Sequence, residues 1–278
     1  MYILYIGSTR NTISTTSTIR GIKMKVIVIA NQKGGIGKTT TACNVANILM
    51  KMGKKTLLLD CDMQGNSSDS YKCKIEGEAT LYDVILEEER IPIYEAIQHT
   101  ENGDIVASDP LLRKADEILN GNIDGLYRLQ DALQELEGYE FVILDTAPAM
   151  NSILYNALIC ADAVVIPCTA DRYGMQGMSQ LFQTIQAVKK RQNKNLSIAG
   201  LLLVKYNART RLSKEVLNDL QEIASQMGTK VFDTKIREST KAKEAQALRM
   251  NLCDYAPKST TSIDYCNFVE ELISEVSK

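Results

Sequence analysis

The chain has 278 residues, 45% of them hydrophobic and 24% charged, with 32 Lys and Arg against 34 Asp and Glu for a formal net charge of −2. That length accommodates one large α/β domain or two small ones, and a charge so near balance excludes a molecule drawn as a whole to nucleic acid: such binding must come from a local patch, or from one assembled by dimerisation. No stretch approaches the roughly 18 consecutive apolar residues of a membrane span, and seven cysteines without a CxxC pair, beside the single His99, suit a reducing compartment and offer no zinc set.

In chain order, residues 1–23 stand apart: rich in Ser and Thr, with Arg10, Arg20 and Lys23 and no acid. Tyr2 to Ile6 is too short for a signal-peptide core. The segment reads as a disordered tail or as a start assigned ahead of Met24, with an organellar transit peptide as the other match to this composition. From Lys25 onward, short β-rich apolar runs alternate with helix-length segments. Strands are expected at Val26–Ala30, Thr56–Asp60, Asp104–Ala107, Phe141–Asp145, Ala163–Pro167, Ile198–Lys205 and Lys230–Ile236. Helices are expected at Thr39–Met52, Leu111–Leu119, Ile123–Leu136, Ser152–Cys160, Gln176–Arg191, Ser213–Gln226, Ser239–Leu248 and Ile263–Val276. Most of the strands are unbroken Val/Ile/Leu runs, the pattern of strands buried on both faces of a parallel sheet. Segment Cys61–Gly103 is the least regular, with a short helix at Leu81–Glu89 and an Asn102-Gly103 turn. The alternation argues for one doubly wound α/β domain over residues 24–278, its sheet mostly parallel and its helices on both faces.

The chemistry concentrates in Asn31-Gln-Lys-Gly-Gly-Ile-Gly-Lys-Thr-Thr40, between the first strand and the first helix. A strand running through a Gly-rich turn into a helix builds a phosphate cradle, because backbone N–H groups and the positive end of the helix dipole converge on an anion. Lys38 would reach the terminal phosphates and the Thr39 hydroxyl would hold Mg²⁺. The usual G-x-x-x-x-G-K-[ST] spacing is not met: Gln32 occupies the first glycine position and a second lysine, Lys33, follows it. A lysine so early in the loop points away from its own phosphate floor and is available to act elsewhere. Ligands of such a fold sit beyond the carboxyl ends of the strands, and two strands end there in acids, as Leu57-Leu-Leu-Asp60 followed by Cys61-Asp62, and as Val142-Ile-Leu-Asp145. An apolar strand finishing in Asp is the Walker-B arrangement, whose carboxylate holds Mg²⁺, usually through water.

The pattern K-G-G-x-G-K-T-T resembles the deviant Walker A loop of the ParA/MinD family of P-loop ATPases, and the resemblance runs from Lys25 to about Lys278. In particular the chain looks like a ParA/Soj-type partition ATPase. Asp60-Cys-Asp62-Met-Gln-Gly-Asn66 is similar to the family's D-x-D-P-Q-G-N segment, with Met63 in place of proline, and Asp145-Thr-Ala-Pro148 is similar to D-T-P-P, with Ala147 for the first proline. The resemblance implies ATP and Mg²⁺ as cofactors, an ATP cradle of Lys33, Gly34, Gly35, Ile36, Gly37, Lys38, Thr39 and Thr40, and Mg²⁺ handled by Thr39, Asp145 and Asp60. It gives Asp62 the attacking water, and gives Lys33 a contact with nucleotide across a dimer interface, so that ATP joins two copies. Asn207, where the family often has Asp, and Ile236-Arg237, where it commonly has Ile-Pro, would wall the base pocket.

Between Lys205 and Arg249 ten Lys and Arg face six Asp and Glu, a local basic excess in an acidic chain. By resemblance Arg209 and Lys241 match a DNA-binding face of the ATP dimer, which Arg211, Lys243 and Arg249 extend; a solvated charged face is the alternative. Such contacts are to phosphates, hence non-specific and salt-dependent. The family further implies slow hydrolysis stimulated by a ParB/Spo0J-like protein, an ATP-dependent homodimer, and a cytoplasmic, nucleoid-associated location, with chromosome or plasmid partitioning as the role. A MinD-like membrane-cycling or cargo-positioning ATPase is the alternative. It needs a basic amphipathic C-terminus, whereas Ile263–Lys278 carries Asp264, Glu270, Glu271 and Glu275 against Lys278 alone.

Overall fold

The computed structural model describes residues 18–19, 22–86, 88–122, 124–170, 178–207 and 211–278. Most of the expected tail therefore lies outside the described residues; within it, β1 (Thr18–Ile19) pairs antiparallel with β2 (Ile22–Lys23). The sheet-forming strands are β3 (Lys25–Ile29), β4 (Thr56–Cys61), β5 (Ile97–Thr100), β6 (Gly103–Val106), β7 (Phe141–Thr146), β8 (Ala163–Thr169) and β9 (Ser197–Val204). The first half of the chain adds α1 (Lys38–Lys51), α2 (Asn66–Ser70), α3 (Leu81–Ile85), α4 (Ala115–Asn120) and α5 (Arg128–Gln134). The second half adds α6 (Ser152–Cys160), α7 (Met178–Arg191), α8 (Arg211–Gln226), α9 (Thr240–Ala247), α10 (Leu252–Tyr255) and α11 (Thr260–Val276).

Seven strands form one sheet in the order β5-β6-β4-β7-β3-β8-β9, every neighbouring pair parallel except β5 and β6. This is the doubly wound, mostly parallel architecture expected. The unbroken apolar runs follow from a core on each face. Val26, Leu57, Leu59, Val142, Leu144, Val164 and Leu201 pack with α3 to α8 on one side. Ile27, Ile29, Leu58, Ile143, Val165 and Leu202 pack with α1 and α9 to α11 on the other. Alternate residues point to opposite faces of a strand, and here neither face meets water.

Two expectations change. Lys230–Ile236 is not a continuous strand: it meets β9 and its extension at isolated bridges, Leu201 with Val231 and Tyr206 with Arg237, and through the Ile236 N–H donating to the Leu203 carbonyl at 2.9 Å. Its mid-segment amides turn away from the ladder, the Asp233 and Thr234 N–H groups donating to the Glu271 carboxylate of α11 at 2.8 and 3.0 Å. The segment is anchored instead by Phe232, fully buried against the backbone of Gly200 and edge-on to Phe268 at 4.9 Å. In the seven-stranded sheet the unexpected strand is β5, a polar edge strand joined to β6 through a Glu101-Asn102 turn, one residue ahead of the expected one. Its His99 is exposed and bonds Asp104 at 2.7 Å. No helix among the described residues is long and apolar enough to cross a membrane.

Candidate nucleotide site

β3 delivers the Gly-rich loop at the carboxyl edge of the sheet, and two left-handed residues shape it, Gly35 (φ 70°) and Gly37 (φ 88°). Both lie where a Cβ is disfavoured by conformation, with open space around them. Gly37 caps α1 without any side-chain bond to the first-turn amides, which leaves those N–H groups directed at the opening. Upstream, Asn31 fixes the loop's root: its side-chain amide donates to the Pro167 carbonyl at 2.7 Å and its Oδ1 accepts from the Lys33 N–H at 3.0 Å.

The loop borders a cavity of about 430 Å³. Gly34 to Thr40, Asp62, Gln64, Asn66 and Pro148 line it, and so do Val204, Lys205, Ile236, Arg237, Lys243 and Tyr265 from later in the chain. Lys38 is buried there, its Nζ donating to the Lys33 carbonyl at 3.2 Å. Burial lowers its pKa, while the charges of Asp145 and Asp62 act to raise it. The Lys33 side chain is not among those lining the cavity.

Under the loop the two strand-end aspartates sit side by side, Asp60 of β4 in register with Asp145 of β7. Both are wholly buried, and burial raises both pKa values above the usual carboxylate range, with their mutual repulsion adding to the rise at Asp60. Their surroundings differ. Asp60 is fully used: Oδ2 accepts from the Ser68 N–H and hydroxyl, each at 2.8 Å, and Oδ1 accepts from the Asp62 N–H at 3.2 Å. These bonds hold Asp60, the residue expected to support the Mg²⁺ shell or the switch, inside the sheet. Asp145 accepts from the Ser67 hydroxyl at 2.8 Å, and the neighbouring Thr39 hydroxyl works to lower its pKa, yet its Oδ1 has no hydrogen-bond partner. Buried polar atoms are almost always paired, so an orphaned carboxylate oxygen beside the hydroxyl of the loop Thr fits a hard divalent cation that prefers oxygen ligands. Asp62 reaches the cavity itself, its position set by Gln64 N–H on Oδ1 at 3.0 Å and by the Ser108 hydroxyl on its carbonyl at 2.6 Å.

Residues 24–198 match the family described as AAA domain. The chromosome partitioning protein ParA of Caulobacter vibrioides is 34% identical over 257 residues, 90% of this chain and 94% of that protein. The sporulation initiation inhibitor protein Soj of Bacillus subtilis is 33% identical over 250 residues, covering 89% and 98%. The chain belongs to the ParA/Soj family. Its fold is also similar to that of cobyrinic acid a,c-diamide synthase from Mycobacterium smegmatis solved with an ATP analog and magnesium bound, with a TM-score of 0.79 at 27% identity over 92% of this chain and 96% of that one.

Against the ParA/Soj expectation for the base wall, Ile236 and Arg237 do line the cavity, and Asn207 lies in an adjoining depression that shares Arg237 and Lys243 with it. Arg237 replaces the family's proline, and the exchange is matched locally. Its N–H donates to Asp264 Oδ2 at 2.9 Å, and its guanidinium grips the same carboxylate through Nε at 2.9 Å and Nη2 at 2.6 Å. Proline could make none of these bonds.

The basic face is less gathered. Arg209 lies outside the described residues, and Arg211 opens α8. Lys241 is bonded to Glu244 at 2.8 Å, Arg249 to Asp69 at 2.7 Å, and Lys243 faces the cavity. Lys241 and Lys243 stand two residues apart on α9, a spacing that directs side chains to different faces. Sequence reasoning missed Ser67, Ser68 and Lys205; the adjacent hydroxyls after Gly65-Asn66 were the available signal for the first two.

Proposed function

We propose that this chain is a Mg²⁺-dependent ATPase of the partitioning type, hydrolysing ATP to ADP and phosphate in the 430 Å³ cavity. One observation carries the reading: the buried Asp145 oxygen that lacks a partner, on a carboxylate next to the Thr39 hydroxyl, beside a loop whose amides open onto the same cavity. Thr39 and Asp145 would hold Mg²⁺, which when bound offsets the charge on the phosphates. The loop amides from Gly34 to Thr40 and the Lys38 ammonium bind the phosphates; Lys38, depressed by burial, regains its full charge preference against an anion. Asp62 orients water at the cavity, Ser67 holds Asp145, and Asp60, held by Ser68, supports the Mg²⁺ shell or the switch from inside the sheet. Ile236, Arg237 and Asn207 border the base.

Phosphoryl transfer of this kind is mostly positioning and charge neutralisation. In Asp145→Asn, or in Thr39→Ala, Mg²⁺-dependent hydrolysis should fall by about a hundredfold or more. Hydrolysis at the wild-type rate in both variants would remove the reading.

The finer role follows the family. Lys33 acts in the partner copy's site, so ATP joins two chains into a homodimer. The dimer holds DNA non-specifically through Arg209, Arg211, Lys241, Lys243 and Arg249, with a ParB/Spo0J-like protein stimulating hydrolysis and the cytoplasmic nucleoid as its location. DNA retention compared with ATP, ADP and no nucleotide at several salt concentrations tests this: retention should require ATP and fall steeply with salt. The membrane-cycling alternative is disfavoured by α11, which buries Tyr265, Phe268, Val269 and Leu272 in the core and has no apolar face to lay on lipid.

A further inference from the structure

Lys205 follows the last residue of β9 and carries an unusual backbone for a side-chain-bearing residue, φ 52° in the left-handed region. The chain leaves the β9 ladder at this residue, and Tyr206 then bridges to Arg237. A single left-handed residue of this kind re-aims a side chain out of the line of its strand. Here the re-aimed ammonium crosses the mouth of the cavity and donates to the Gly35 carbonyl of the Gly-rich loop at 2.6 Å, a contact spanning 170 residues of sequence. Lys205 also lines that cavity. It is a second lysine on the loop in this same chain, distinct from Lys38, whose Nζ bonds the Lys33 carbonyl.

The chemistry of the contact is specific. A peptide unit carries its acceptor and donor on opposite sides, so the Gly35 carbonyl belongs to the same amide as the Ile36 N–H. A cation on the carbonyl oxygen draws electron density toward it and makes that N–H a stronger donor, the cooperative polarisation of linked hydrogen bonds. It also fixes the orientation of a peptide between two left-handed glycines, at Gly35 and Gly37, that would otherwise turn easily.

We propose that Lys205 is a positioning residue for nucleotide binding, acting through the Gly35 carbonyl to orient and polarise the loop amide that receives a phosphate oxygen. The inference rests on the nucleotide reading of this cavity. The test is the affinity of the full-length protein for a fluorescent ATP analogue with Mg²⁺, measured for wild type, Lys205→Met, Lys205→Arg and Lys38→Ala, with thermal unfolding of each recorded alongside. Loss of a charge-assisted hydrogen bond should weaken binding roughly tenfold in Lys205→Met, at an unchanged unfolding temperature, since the side chain is exposed. Lys205→Arg, which keeps a cationic donor, should restore most of the loss. Lys205→Met binding as tightly as wild type overturns the proposal. So does equal weakening in the Met and Arg variants, which marks a packing role in place of a charged donor. A failure of the underlying reading looks different: there Lys38→Ala binds as wild type does, or no variant binds at all.

Discussion

At the scale of single residues, the site is organised around two buried carboxyls with opposite bonding. Both Asp60 and Asp145 hold their protons more tightly in the fold than in an unfolded chain, because burial penalises their charged forms. They therefore favour the folded state most below the ordinary carboxylate pKa of about 4, and that contribution is lost as pH rises through their raised values. Asparagine at position 60 has no proton to lose and gains no charge as pH rises. In the nucleotide-free protein, the stability of Asp60→Asn relative to wild type should thus improve by on the order of one to a few kcal/mol between about pH 4 and pH 8. Superimposed is a constant deficit for the lost bond to the Asp62 N–H. Chemical denaturation across that range reads the difference, and a gap that stays flat with pH means Asp60 is already ionised in the fold.

At the scale of elements, what was legible in the sequence was whatever is local. The runs at β3, β4, β7 and β8 have no polar interruption before their ends, and the loop motif is contiguous. Contacts that join distant positions were not legible: Ser67 meets Asp145 across 78 residues, and nothing near Lys230–Ile236 announces that Glu271 takes two of its amides. β5 escaped notice because an edge strand needs only one covered face, and its Gln98 and His99 read as loop.

Two variants examine the packing that replaced the expected strand. A Cβ at Gly200 would come within 2.6 Å of the Phe232 ring, so Gly200→Ala should cost about 1–3 kcal/mol by overpacking; an unshifted urea midpoint would show that the ring has room to move. Burial works to raise the Glu271 pKa, but the Asp233 and Thr234 amides and the Lys230 charge hold it below the usual range. Its contribution is present above the ordinary glutamate pKa of about 4.3 and disappears as pH falls through the lowered value. Glu271→Gln should accordingly lose about 1 kcal/mol at neutral pH and nothing in strong acid, with faster hydrogen exchange at the amides of Asp233 and Thr234; exchange at the wild-type rate contradicts the anchoring role.

At the scale of the whole molecule, the predictions concern assembly. If Lys33 reaches the partner's nucleotide, Lys33→Ala should remain monomeric in ATP by sedimentation while still binding nucleotide through Lys38. Dimerisation and hydrolysis both intact in that variant would assign Lys33 to its own loop. Charge reversal at Arg209 and Lys241 together should abolish ATP-dependent DNA retention and spare nucleotide affinity; full retention returns those residues to a solvated face. The C-terminal helix holds a different kind of information. Asp264 grips Arg237 on one side of the cavity, and its neighbour Tyr265 bonds the Thr41 hydroxyl of α1 at 3.2 Å on another, across 224 residues. The Gly-rich loop leaves the ribosome long before either of them. At about 5–20 residues per second, roughly ten to forty-five seconds of translation separate the loop from its last supports. For that interval the nascent chain carries its Gly-rich loop without the Asp264 and Tyr265 contacts that brace the cavity walls.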